Sequence, residues 1–186
     1  MRLSILQYGD PILRAKGKHI EKIDNRIREL AQNMIETMHA ANGVGLAAPQ
    51  VGESLQLTVL DVSQVEDRPS TMKLNGENTD PQSAMPLVLI NPEIDLGSET
   101  EMGTEGCLSF PEITGEIERA KSITVRAQNL DGEVIEIEAT GFLARAIQHE
   151  VDHLNGVLFI DHISKLKRER ITKKFTKAAK RAEKEE

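Results

Sequence analysis

Near its C-terminal end the chain carries Gln148-His149-Glu150-Val151-Asp152-His153-Leu154, an H-E-x-x-H segment on a stretch that reads as helix. An α-helix advances about 100° per residue, so side chains four apart share a face. His149 and His153 can therefore turn both imidazoles toward one metal ion. Glu150, beside the first of them, is placed to handle the proton of a water that the metal activates. The competing reading is a solvated polar face. Against it, His19, His39 and His162 are scattered, whereas these two fall at ligand spacing on a helix that also carries an apolar stripe.

A catalytic metal normally takes three protein ligands and keeps an open position. The extended motif H-E-x-x-H-x-x-G-x-x-H finds Gly156 in frame but Phe159 where the last His belongs. Glu169 is a second candidate, although it sits in a run of Lys and Arg that reads as a solvated helix. Cys107, the only cysteine, is a third, in Glu105-Gly106-Cys107-Leu108-Ser109. A thiolate suits a soft or borderline metal, and the small neighbours point to a tight local backbone. A lone Cys can equally be a small buried hydrophobe.

Gly43-Val44-Gly45-Leu46-Ala47-Ala48-Pro49-Gln50 lies between an expected helix and an expected strand. Its glycines allow a substrate chain to approach the backbone closely, and Gln50 offers a neutral amide donor. Glycines after a helix also serve as caps and turns.

Together these three segments resemble, in order, the G-x-G-L-A-A-x-Q, E-G-C-L-S and Q-H-E-x-D-H-L segments of the peptide deformylases. The similarity extends from Tyr8-Gly9-Asp10-Pro11 to about Ile163. The resemblance implies Cys107, His149 and His153 as metal ligands and Glu150 as general acid/base. It also implies Gln50, through its side-chain amide, and Leu108, through its backbone N–H, as oxyanion donors. The implied reaction removes the formyl group from the N-terminal formylmethionine of nascent polypeptides and releases formate. The implied cofactor is one Fe²⁺ per chain, replaceable by Zn²⁺, Ni²⁺ or Co²⁺; ligand type alone suits zinc.

Length and composition fit one domain: 186 residues, 39% of them hydrophobic, without Trp. No signal pattern opens the chain, no apolar run approaches the ~20 residues of a membrane span, and one cysteine excludes an internal disulfide. The expected setting is cytoplasmic, with neither membrane nor DNA as partner; a mature organellar form is also compatible. The net charge of −7 hides an asymmetry. Lys165 to Glu186 holds ten basic and four acidic residues, against 13 and 26 in the remainder. The expected organisation is a catalytic domain over 1–163 and a basic C-terminal helix over 164–186. Such a tail is either a solvated helix or a surface for ribosomal RNA.

Periodicity gives the elements. Asp24 caps a helix with Ile27, Leu30, Ala31, Met34, Ile35 and Met38 on one face, ended by Asn42-Gly43. Leu55 to Val62 reads as a buried strand and Ser63 to Met85 as a loop insertion. Further strands are expected at Leu87 to Asn91, around Ile94 to Leu96, and at Val157 to Ile160. Ser122 to Gln128 and Glu133 to Ala139 form a hairpin about Asp131-Gly132. The order predicts an α+β fold, with antiparallel or mixed β-sheets packed around a central metal-binding helix carrying the H-E-x-x-H motif, plus a C-terminal helix.

Helical phase sets Phe142, Ala146, His149 and His153 on one stripe. Phe142 and Ala146, faced by Val44, are therefore expected to line a small apolar pocket for a methionine side chain; ordinary core packing is the alternative for Phe142. Substrate backbone is expected along Gly43–Gly45 and Glu105–Gly106. Asp152 and Glu105 are candidates to hold the imidazoles, with Arg119 offsetting their charge. The rivals are a zinc peptidase with Glu169 as third ligand and a non-catalytic, metal-stabilised ribosome-binding module.

Overall fold

The computed structural model describes the backbone of residues 1–185 and the side chains of residues 1–177. Helix α1 (Asn25–Ala40) starts where expected, with Asp24 Oδ1 accepting from the Ile27 N–H at 3.1 Å. It presents Ile27, Ala31, Met34 and Met38 to one of three apolar clusters. Asn42, at φ +56°, turns the chain into β1 (Gly45–Ala47). Then follow β2 (Leu57–Leu60), β3 (Ser70–Leu74), β4 (Glu77–Thr79), β5 (Leu87–Leu96), β6 (Thr100–Cys107), β7 (Phe110–Ala120), β8 (Ser122–Gln128), β9 (Val134–Thr140), α2 (Gly141–Leu154) and α3 (Lys165–Glu185).

Seven strands make one sheet in the order β1-β2-β5-β8-β9-β3-β4, and β6 pairs with β7 in a separate hairpin. Every strand pair is antiparallel. Helix α2 lies between the two sheets and is buried almost all round. Leu143, Ala144, Ile147 and Val151 pack with Leu89, Ile123, Val125 and Ile137 of the larger sheet. Gln148 ties the helix to the end of β7, accepting from the Ala120 N–H at 3.1 Å and donating to its carbonyl at 3.0 Å. The helix can begin where it does because residue 141 is glycine: its φ is +69°, and a Cβ there would strike the Pro69 carbonyl oxygen.

The expected fold class needs correction. The α+β order stands with antiparallel sheets, none of them mixed, but the metal site is not an H-E-x-x-H motif. The donors that converge are Cys107, His149 and His153, so α2 supplies two and the end of β6 the third. The reason is helical phase. Residues 149 and 153 share a face, while Glu150 is turned about 100° away, toward β1 and β2.

Three strand assignments also change. The 63–85 segment is not loop throughout: Asn75-Gly76, both at positive φ, closes the β3–β4 hairpin, and β3 pairs with β9. The two strands expected around Leu87 and Ile94 are one, β5, with a register shift between Ile90 and Glu93 where Asn91 sits at φ +53°. Val157 to Ile160 is not a strand; Phe159–His162 forms a 3₁₀ turn, with Asp161 accepting from the Leu158 N–H.

Four of the chain's five aromatic rings gather in one place. Tyr8 stacks on Phe110 at 4.6 Å, Phe159 meets Phe110 edge-on at 5.1 Å, and Phe175 of α3 lies 5.9 Å from Phe110. Through Phe175 and Ile171, α3 is seated on the domain. Among the described residues, no helix is long and apolar enough to cross a membrane.

Candidate metal centre

Strand β6 ends at Cys107, just past the register shift between Gly106 and Cys107, and the turn Leu108–Ser109 leads into β7. This turn brings the Cys107 thiol against α2. Its Sγ is 3.3 Å from His153 Nε2, which is 3.2 Å from His149 Nε2. One donor atom from each of the three residues lies within 4.8 Å of the others, and among the described residues no other group of His, Cys, Asp and Glu converges in this way. Glu169, on α3, is not part of it.

These residues suit a divalent metal. One soft sulfur and two imidazole nitrogens form a set typical of borderline ions, with three protein ligands leaving room for exogenous ones. The ring orientations support it, because His149 directs Nδ1 away from the cluster to Glu105 Oε1 at 2.9 Å and so leaves Nε2 for the ion. His153 Nδ1 is buried without a partner.

Glu105 is the hub of a buried network. Arg119 grips it through two 2.8 Å hydrogen bonds, and Arg145 donates to Oε2 at 2.8 Å. Burial alone would raise this carboxyl. Hydrogen bonds from Arg119 and His149, with the Arg119 charge, outweigh burial and hold it well below the usual range. Arg119 continues to Asp152 at 2.6 Å, and Asp152 to His162 at 2.8 Å. Thus Glu105 holds the His149 imidazole directly, whereas Asp152 connects to it only through Arg119 and Glu105.

Glu150 is turned toward β1 and β2, at the wall of the cleft beside β1. The Thr58 hydroxyl is 3.4 Å from its Oε2. Gly45 is what lets the carboxylate in: a Cβ there would stand 2.6 Å from Oε1. Burial pushes the carboxyl up to about 7, against the pull of the His149 charge and the Thr58 hydroxyl.

Gln50 is buried with its amide orientation decided by its neighbours. Its carbonyl oxygen accepts from the Ala47 N–H at 2.9 Å, so Nε2 must be the group near Ser109 Oγ at 3.1 Å and Cys107 Sγ at 3.6 Å.

A cavity of about 450 Å³ opens over these groups. Val44, Gly45, Gln50, Gly106, Cys107, Leu108, Ala146, His149 and Glu150 all contribute to its wall. Phe142 is not part of the wall: it packs on the main core with the Arg68 guanidinium 4.3 Å above its ring. Just over one helical turn separates it from Ala146, which does reach the opening. Thr58, Ser109 and Arg145 are site neighbours that sequence reasoning missed. Ser109 stood inside the cysteine segment, but a charged residue such as Arg145 on a helix ordinarily signals a solvated face.

Known proteins resemble this chain in both sequence and structure. Residues 2–169 match the family model described as polypeptide deformylase. A peptide deformylase of Bradyrhizobium diazoefficiens is 50% identical over 180 residues, covering 96% of this chain and 97% of that one. The crystal structure of peptide deformylase from Thermotoga maritima superposes with a TM-score of 0.75 at 46% identity, covering 88% of this chain and 99% of that one. The enzyme from Ehrlichia chaffeensis in complex with actinonin superposes with a TM-score of 0.82 at 37% identity, covering 95% and 97%.

Proposed function

This chain belongs to the polypeptide deformylase family, and on that premise we propose how its residues remove the N-formyl group from the N-terminal formylmethionine of newly synthesised polypeptides, releasing formate. It is a metal-dependent hydrolase. The observation that carries the reading is the convergence of Cys107, His149 and His153 beneath a cavity that also receives Glu150. These three residues hold the ion, which in this reading is Fe²⁺, replaceable by Zn²⁺, Ni²⁺ or Co²⁺. When bound there, such an ion would supply Lewis acidity for a water and a carbonyl held in the cavity.

Glu150 takes a proton from the attacking water and delivers it to the leaving nitrogen, which departs as an amine. Glu150 and Cys107 line the same cavity, which suits that shuttle. The Gln50 amide and the Leu108 N–H stabilise negative charge developing on the formyl oxygen. The fixed amide orientation of Gln50 favours this role, since no reorganisation is needed as charge develops. Val44 and Ala146 receive the methionine side chain, while Gly45 and Gly106 let the substrate backbone lie close. Work on nascent formylated chains favours a cytoplasmic setting.

The basic helix α3 is the proposed contact with ribosomal RNA, on the strength of its excess of six positive charges over residues 165–186. Salt-sensitive co-sedimentation with ribosomes tests that contact.

For the reaction, anaerobically purified, Fe²⁺-loaded protein should release formate from formyl-Met-Ala-Ser. Glu150→Ala should keep its metal while turnover falls about 10²-fold or more. Parent-level turnover in that variant rejects the role of Glu150. No formate from the loaded parent rejects the activity.

A further inference from the structure

Arg145 lies one turn before His149 on α2 and is buried, yet the hydrolysis described above gives it no task. Its Nη1 donates to Glu105 Oε2 and to the Ile117 carbonyl on β7, both at 2.8 Å. Its Nη2 donates to the Glu101 carbonyl on β6 at 2.9 Å. One side chain of the metal helix thus grips both strands of the hairpin and the carboxylate that orients His149. Gly103 makes the room: a Cβ there would stand 2.7 Å from the guanidinium carbon.

The donor set is divided between the two elements so joined. Strand β6 ends in Cys107, and α2 carries both histidines. Packing alone is a poor reason for an arginine here, because burying its charge costs desolvation that an aliphatic side chain would avoid. The charge is matched locally, with Arg119 and Arg145 against Glu105 and Asp152.

We infer that Arg145 is a positioning residue for the metal centre: it clamps the β6–β7 hairpin to α2, holds Glu105 against His149, and so governs how tightly the site retains its ion, with Gly103 as the notch that admits it. The inference rests on Cys107, His149 and His153 being the ligands.

Cobalt(II)-loaded protein provides the test, with release to excess chelator, the visible cobalt spectrum and the thermal midpoint measured on each variant. Arg145→Met is expected to release cobalt about tenfold faster or more and to change the absorption band. Arg145→Lys should recover only part of the loss, because an ammonium can pair with Glu105 but cannot span the carbonyls as the planar fork does. Gly103→Ala keeps the arginine but displaces its guanidinium, so it should also speed release. In the Arg145→Met background it should add nothing.

Unchanged release and spectrum in Arg145→Met and Gly103→Ala, with only a lower thermal midpoint, would overturn the clamp. If Arg145→Met does not fold, Gly103→Ala and Arg145→Lys decide by the same criterion. Cys107→Ser, run in parallel, separates the two levels. Parent-like cobalt retention in Cys107→Ser means the ligand assignment has failed. Cobalt lost from Cys107→Ser but held normally by the Arg145 and Gly103 variants means the clamp alone has failed.

Discussion

Gly45 and Glu150 share a space that has room for only one of them to carry a side chain there. A Cβ on Gly45 would stand 2.6 Å from Glu150 Oε1, well inside contact distance, and Thr58 closes another side of the carboxylate. The first glycine-rich segment thus sets the aim of the motif glutamate, in addition to any contact with substrate.

Gly45→Ala is therefore expected to act as a displaced Glu150. The kcat should fall about 10²-fold, the size typical of losing a positioned acid/base, while metal content stays at parent level. Steady-state kinetics with formyl-Met-Ala-Ser, alongside metal analysis, decides; an unchanged kcat would show that the carboxylate tolerates the shift.

Cys107→Ser should lose bound metal and activity together, since a neutral hydroxyl is a far weaker ligand than a thiolate. Glu169→Ala should leave both unchanged, because Glu169 lies outside the donor cluster. The opposite pattern would restore the peptidase-like ligand set.

Gln50→Ala removes a donor whose direction the Ala47 N–H decides. Loss of one preorganised donor of this kind costs about 3 kcal/mol of barrier, so kcat should drop roughly 10²-fold with little change in KM. A rise confined to KM would mean that Gln50 binds substrate in the ground state instead.

Phe175→Ala should lower the thermal midpoint, by an amount corresponding to about 2 kcal/mol for a half-buried ring. The ring sits 5.7 Å from Tyr8 and 5.9 Å from Phe110, and it is a main apolar attachment of α3. Calorimetry of this variant tests whether the basic helix is fastened to the domain; an unaltered midpoint would leave α3 free to move.

The Arg14–Asp161 pair, at 2.6 Å, predicts an acid-sensitive contribution to stability. Burial would raise the Asp161 carboxyl, but hydrogen bonds from Arg14 and the Leu158 N–H, with the Arg14 charge, hold it below its ordinary value. A carboxyl lowered in the folded state stabilises above its unfolded pKa, and that stability is lost as pH falls through the folded value. Asp161→Asn should consequently be less stable than the parent at neutral pH. The gap should close as pH drops below about 4, as thermal midpoints measured against pH would show.

Much of the site was readable before any coordinates. The spacing of His149 and His153, the thiol of Cys107 and the Gly43–Gln50 segment are local patterns, and local patterns survive in a linear chain. The 63–85 hairpin was also legible in principle, through Asn75-Gly76, but its polar strands lack the alternation that marks a buried face. Phe142 shows the limit of phase arguments. It shares a stripe with Ala146 and both histidines, yet a stripe is wider than a cavity mouth, and Arg68 from a distant loop covers it.

The sequence by itself determined which atoms can hold a metal and which helix face two of them share, because helical geometry couples residues four apart whatever surrounds them. Only the tertiary structure decided how the end of β6 brings Cys107 against α2, that Gly45 aims Glu150, and that Arg145 and Arg119 meet on Glu105. Those relationships join residues from about 14 to more than 100 positions apart, and close approach at such separations is set by how sheets and helix pack around a common core, which no local pattern encodes.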